Sequence, residues 1–130
     1  MIVVDASVAI DVLLQVKGAE VLMERIFVDG ETLHAPHLLD VEVAQVIRRY
    51  WRAGEITPAR GAQALQDLGD LPISRYTHEP LLDRVWQLRA NATAYDAAYL
   101  ALAEALDAVL ITRDNALARV PGIRVLVEVV

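Results

Sequence analysis

Residues 1–14 read MIVVDASVAIDVLL, and the acid at position 5 decides how the rest is parsed. Ile2 to Val4 form a short β-branched run, Asp5 ends it, and Ser7 to Leu14 continue as an apolar stretch long enough for helix. Strand, acid, helix is the first unit of an alternating chain. Further strands are expected at Thr32 to Ala35, Pro72 to Arg75, Val109 to Thr112 and Arg124 to Val127. Helices are expected at Ala19 to Asp29, Leu38 to Ala53, Pro58 to Leu68, Pro80 to Arg89, Ala94 to Leu106 and, briefly, Asn115 to Arg119. Punctuation agrees: Arg48, Arg49 and Arg52 precede Gly54 as a basic last turn with a glycine stop, and Thr57 before Pro58 is a cap followed by proline. This alternation predicts an α/β fold with a mainly parallel sheet. At 130 residues and 55% hydrophobic content, one domain spanning the chain is expected.

Composition removes several functions. A formal charge of −6 argues against broad electrostatic capture of nucleic acid, although eleven of the twelve basic residues are arginine, the side chain suited to bidentate phosphate contacts. Without cysteine there is no disulfide, iron–sulfur cluster or thiolate zinc site, so any metal must use oxygen or histidine ligands. His34, His37 and His78 lack metalloprotease spacing, and the glycines form neither GxGxxG nor a P-loop. No apolar run approaches the roughly 20 residues of a membrane span. Asp5 and Asp11, with no basic leader, make the start a poor signal peptide; the expected address is the cytoplasm, with no membrane partner.

Residues 93–103, TAYDAAYLALA, seat Asp96 among tyrosines, alanines and leucines. An unpaired charge taken out of water costs several kcal/mol or more, so Asp96 needs a partner. Parallel sheets gather functional groups beyond the carboxyl ends of their strands. Asp5, Glu42, Asp96 and Asp114 all stand at strand ends or helix starts. Singly, each has a structural use: Asp5 or Ser7 caps a helix, Thr93 and Asp96 match a capping box, Glu42 meets a helix dipole, and Asp114 caps a short helix. Jointly they repel. Two carboxylates at an assumed ~6 Å and effective dielectric of ~20 oppose each other by about 3 kcal/mol, more than a cap contributes. Protons or divalent cations relieve this, and oxygen-only ligands favour Mg2+ or Mn2+, one or two ions.

At these residues the chain resembles the PIN domains, and more narrowly the VapC-type toxin ribonucleases. The resemblance rests on VVDASVAI with Asp5 and Ser7, PHLLDVEVAQVIRR with Glu42, TAYDAAYLALA with Asp96, and LITRDNAL with Thr112 and Asp114. It implies a three-layer αβα fold with a parallel sheet of about five strands in order 3-2-1-4-5. It also implies a metal-dependent endoribonuclease leaving 5′-phosphate and 3′-hydroxyl ends, silenced by a VapB-type antitoxin. Asp5, Glu42, Asp96 and Asp114 would then be both catalytic and metal-binding, supported by Ser7, Thr112 and Asn115. Some members carry another acid two positions after the aspartate matching Asp114; here that position is Ala116. Arg113, Arg48, Arg49 and Arg52 are candidates for RNA or antitoxin contact. Tyr95, Tyr99, Leu102 and Leu106 form a helical stripe suited to core or to a homodimer interface, and Trp51 and Trp86 suit packing or an interface. Three alternatives stand beside this. A haloacid-dehalogenase-like phosphohydrolase would need an aspartate where Ser7 is, and a receiver-like phosphoacceptor would need a late lysine where Lys17 is the only one. A catalytically silent binding module would use the acids as caps.

Overall fold

The computed structural model describes all residues, Met1–Val130. Five strands, β1 (Ile2–Val4), β2 (Leu33–Pro36), β3 (Ile73–Tyr76), β4 (Val109–Thr112) and β5 (Val127–Val129), form one sheet. Every pairing is parallel and the order is β3-β2-β1-β4-β5. Six α-helices, α1 (Ala6–Leu14), α2 (Ala19–Ile26), α3 (Leu38–Arg52), α4 (Pro58–Asp70), α5 (Leu82–Gln87) and α6 (Ala94–Leu106), complete a three-layer arrangement. None is long and apolar enough to cross a membrane.

Burial explains why β1 takes the centre. Ile2, Val3 and Val4 are all buried, as both faces of an inner parallel strand must be. They join one contiguous apolar cluster with Leu39 and Val43 of α3, Leu110 and Ile111 of β4, and the inner part of α6. Helix α6 packs against β1, β2 and β4. Four of its six alanines, Ala97, Ala98, Ala101 and Ala103, are buried, and their small side chains permit close approach to the sheet. Tyr99 and Leu102 of the predicted stripe are core, Leu106 is half-buried, and Tyr95 is 66% exposed. Trp51 and Trp86 are both exposed, and Arg89 lies 4.5 Å above the Trp86 ring. Of the histidines, His34 is bonded to Thr32 and Tyr76, His78 accepts from the Leu38 amide, and His37 is exposed.

Several boundaries differ from expectation for identifiable reasons. The last strand begins at Val127 rather than Arg124, because the Arg124 amide is taken by the Glu104 carboxylate at 2.8 Å. Helix α2 ends at Ile26, three residues early, and the chain turns through Gly30 at φ 86 before entering β2. The segment expected as helix from Pro80 to Arg89 divides into a 3-10 turn, Glu79–Leu81, and the short α5; the Asn115 to Arg119 segment narrows to a 3-10 turn, Leu117–Arg119. On the periphery, Arg84 grips Glu104 with two nitrogens and also donates to the Gly122 carbonyl. Arg25 of α2 similarly holds Glu128 of β5.

Candidate functional site

Register places the first two acids. Because Val4 pairs with Ile111 in the parallel β1–β4 ladder, Asp5 and Thr112 emerge side by side at the carboxyl end of the sheet. The Thr112 hydroxyl donates to Asp5 Oδ2, while Asp5 Oδ1 accepts from Ser7 Oγ at 2.5 Å and from the Val8 amide at 3.1 Å. Asp5 is therefore the cap of α1, as expected, and is also fixed from β4. A second relay runs through the same hydroxyls: Ser7 Oγ accepts from the Arg113 amide at 3.0 Å, and Thr112 Oγ1 accepts from the Asp114 amide at 2.9 Å. The strand-end loop carrying Asp114 is thus tied to the α1 cap. Asp114 Oδ1 accepts from the Ala116 amide at 2.8 Å, which makes its turn.

Helices α3 and α6 bring the other two acids. Thr93 caps α6, accepting from the Asp96 amide at 3.1 Å; the reciprocal capping-box bond to the Thr93 amide is not made, though the Thr93 side chain partly stabilises the Asp96 carboxylate. Glu42 Oε1 accepts from the Tyr99 hydroxyl at 2.6 Å. This bond ties α3 to α6 and gives Tyr99, expected in core or a homodimer interface, a polar partner as well. Its signal was present: a phenol buried among alanines needs a hydrogen-bond partner. The Asp11 carboxylate accepts from Arg113 Nε at 2.5 Å, so the position of Arg113 is set by a partner on α1.

The acids act on one another electrostatically. Burial raises Asp5 above the ordinary aspartate range despite its hydrogen bonds. Burial also raises Glu42, the Tyr99 bond partly opposing and the charges of Asp5 and Asp96 adding to it. Asp96 is raised by burial, then by Asp114 and Asp5. The Tyr99 hydroxyl is held far above its usual value by burial and by Glu42, so it remains a donor. None of the chain's ion pairs uses these four acids; they join Met1 to Glu31, Arg25 to Glu128, Arg75 to Asp40, Arg84 to Glu104 and Arg113 to Asp11. Asn115, Arg48, Arg49 and Arg52 are exposed and unpaired.

Whether these residues suit a metal ion can be tested by counting acceptors. A carboxylate has about four lone-pair positions. Asp5 is the most fully engaged, by Ser7, Val8 and Thr112; Glu42 retains Oε2, Asp114 retains Oδ2, and Asp96 retains at least one oxygen. The donor set is hard oxygen, anionic and without a cation of its own, which fits Mg2+ or Mn2+. No three of these groups stand close enough to enclose an ion directly. The fit is to an ion reached in part through water, the habit of Mg2+.

A family model described as PIN domain matches residues 2–123. Ribonuclease VapC9 of Mycobacterium tuberculosis is 45% identical over 114 residues, covering 88% of this chain and 86% of that protein. Among solved structures, PAE2754 from Pyrobaculum aerophilum superposes with a TM-score of 0.75 at 23% identity, over 98% of this chain and 83% of that one. VapBC2 from Rickettsia felis, bound to a promoter DNA fragment, gives a TM-score of 0.72 at 12% identity over 98% of each chain.

Proposed function

The chain belongs to the PIN-domain family and, within it, to the VapC ribonucleases, and from this we propose that it acts as a single-domain, metal-dependent endoribonuclease, the toxin of a toxin–antitoxin pair. Asp5, Glu42, Asp96 and Asp114 hold one or two Mg2+ or Mn2+ ions, directly or through water. Such an ion, when bound, supplies positive charge to the phosphodiester and lowers the pKa of its water ligand. The observation that carries the proposal is that the charges of Asp5 and Asp96 act on Glu42, and those of Asp114 and Asp5 on Asp96, while none of the four carboxylates has a basic partner. Ser7 and Thr112 orient Asp5 and fix the Asp114 loop, and Asn115, exposed directly after Asp114, supports them. Arg113, steadied by Asp11, keeps its two terminal nitrogens for an RNA phosphate. Arg48, Arg49 and Arg52 meet RNA or an acidic segment of a VapB-type antitoxin. The protein works in the cytoplasm as a homodimer.

The test is direct. Antitoxin-free protein is incubated with single-stranded RNA in Mg2+, in Mn2+ and in EDTA, and fragment ends are determined. Cleavage to 5′-phosphate ends, requiring metal and lost in Asp5→Asn, is expected. RNA left intact with either metal, alongside phosphate release from small monoesters, would favour a phosphohydrolase instead.

A further inference from the structure

Beside the carboxylates, α3 carries one continuous face formed by Leu38, Val41, Glu42, Gln45, Val46 and Arg49, the three-and-four spacing of a helical stripe. With Ala6 and Tyr95 it lines an open groove of about 360 Å3, within the size range of small-molecule sites. Two large apolar surfaces there face water: Val41 is 69% and Tyr95 is 66% exposed. Tyr95 immediately precedes Asp96, and its hydroxyl makes no hydrogen bond within the protein, unlike that of Tyr99. Arg49 is an exposed cation without a carboxylate partner, in a chain of net charge −6. Glu42 belongs both to the groove and to the acid cluster, so whatever occupies the groove is continuous with whatever reacts.

We propose that this groove is a nucleotide subsite of single-stranded RNA, with a base stacked on Tyr95 and a neighbouring phosphate on Arg49. It rests on the nuclease reading for its ligand. Single-stranded RNA is gripped by aromatic faces for its bases and by cations for its backbone, and here the two lie at one groove. Glu42 and Arg49 are seven residues apart on α3, about 10 Å of helix rise, so Arg49 takes a phosphate other than the one at the carboxylates. Gln45, between them, offers an amide donor and acceptor to a base edge. An acidic peptide satisfies Arg49 but gains nothing from a ring face beside Glu42. A second copy of the chain would bring a further negative charge towards four carboxylates.

The intact protein is titrated against a fluorescein-labelled single-stranded oligoribonucleotide in EDTA, read by anisotropy, and KM and kcat are then measured with Mn2+ restored. Tyr95→Ala is expected to weaken Kd or raise KM roughly ten-fold with kcat retained, the size of one lost stacking contact. Tyr95→Phe keeps the ring and stays within about two-fold, and Arg49→Gln lowers the slope of log K against log salt by about 0.7. The inference is overturned if Tyr95→Ala leaves both Kd and KM unchanged, whether or not it disrupts capture of an antitoxin or converts a dimer to a monomer. Tyr95-dependent RNA binding without cleavage in either metal sinks the nuclease reading but not this one; cleavage indifferent to Tyr95 does the reverse. An absence of both RNA binding and cleavage refutes both.

Discussion

Replacing Tyr99 by phenylalanine removes one oxygen and no packing volume. That oxygen donates at 2.6 Å to Glu42 and belongs to a side chain only 2% exposed. A hydrogen bond to a charged acceptor contributes about 1.5–3 kcal/mol, and water cannot easily replace a donor at this depth. For a chain of this length, the loss corresponds to a fall of about 5–15 °C in Tm. The pH dependence carries the more specific expectation. Glu42 is already raised above its ordinary value of 4.5, chiefly by burial, and the Tyr99 bond opposes that rise. Without the bond, Glu42 moves up further. A carboxyl group raised in the folded state contributes stability that is complete below its unfolded pKa and is lost as pH rises through its folded value. The Tyr99→Phe deficit should therefore be small near pH 4 and open towards neutrality. Urea unfolding of metal-free protein at pH 4 and pH 7 measures it. An equal deficit at both pH values refutes the assignment of the hydroxyl to the carboxylate.

Asp96→Asn removes a charge that burial, Asp114 and Asp5 oppose and keeps an acceptor for Thr93, so in metal-free protein at pH 7 it should stabilise by about 1 kcal/mol after solvent screening, while abolishing RNA cleavage. Because Asp96 is raised above 3.8, that gain should fade on acidification towards pH 4, and denaturant titrations at the two pH values check the sign. Mn2+ at a hundred times its Kd should stabilise the wild type by about 2.7 kcal/mol in a thermal shift, reversibly with EDTA and not in Asp5→Asn. Thr112→Val removes both the donor to Asp5 and the acceptor for the Asp114 amide at a fully buried position; a loss of about 2–3 kcal/mol is expected by urea unfolding, with Thr112→Ser largely restoring it.

Much of this was legible because parallel strands write their ends into the sequence. The run Ile2 to Val4 reads as a strand ending at Asp5, and its burial on both faces marks it as an inner one. The strand order implied by the family resemblance puts Asp5 and Asp114 on adjacent central strands, and the β1–β4 register then sets Thr112 beside Asp5. Asp96 is legible as an acid among apolar helix residues, and Glu42 as an acid near the start of the helix that follows the second strand. What escaped was side-chain partnership between distant elements. Tyr99 and Glu42 are 57 positions apart, Arg113 and Asp11 are 102, and no periodicity encodes either bond. The late start of β5 has the same origin, since the Arg124 amide is claimed by Glu104 from α6.

The clamp between Arg25 and Glu128 bears on what happens when many copies are crowded together. A sheet's outermost strand offers free amides and carbonyls to any passing extended chain, and a border of only three residues, Val127–Val129, bearing a fixed ion pair is a poor template for such growth. Cutting the clamp with Arg25→Ala should therefore show itself less in activity than in colloidal behaviour, as slow fibrillar aggregation of protein that is still folded.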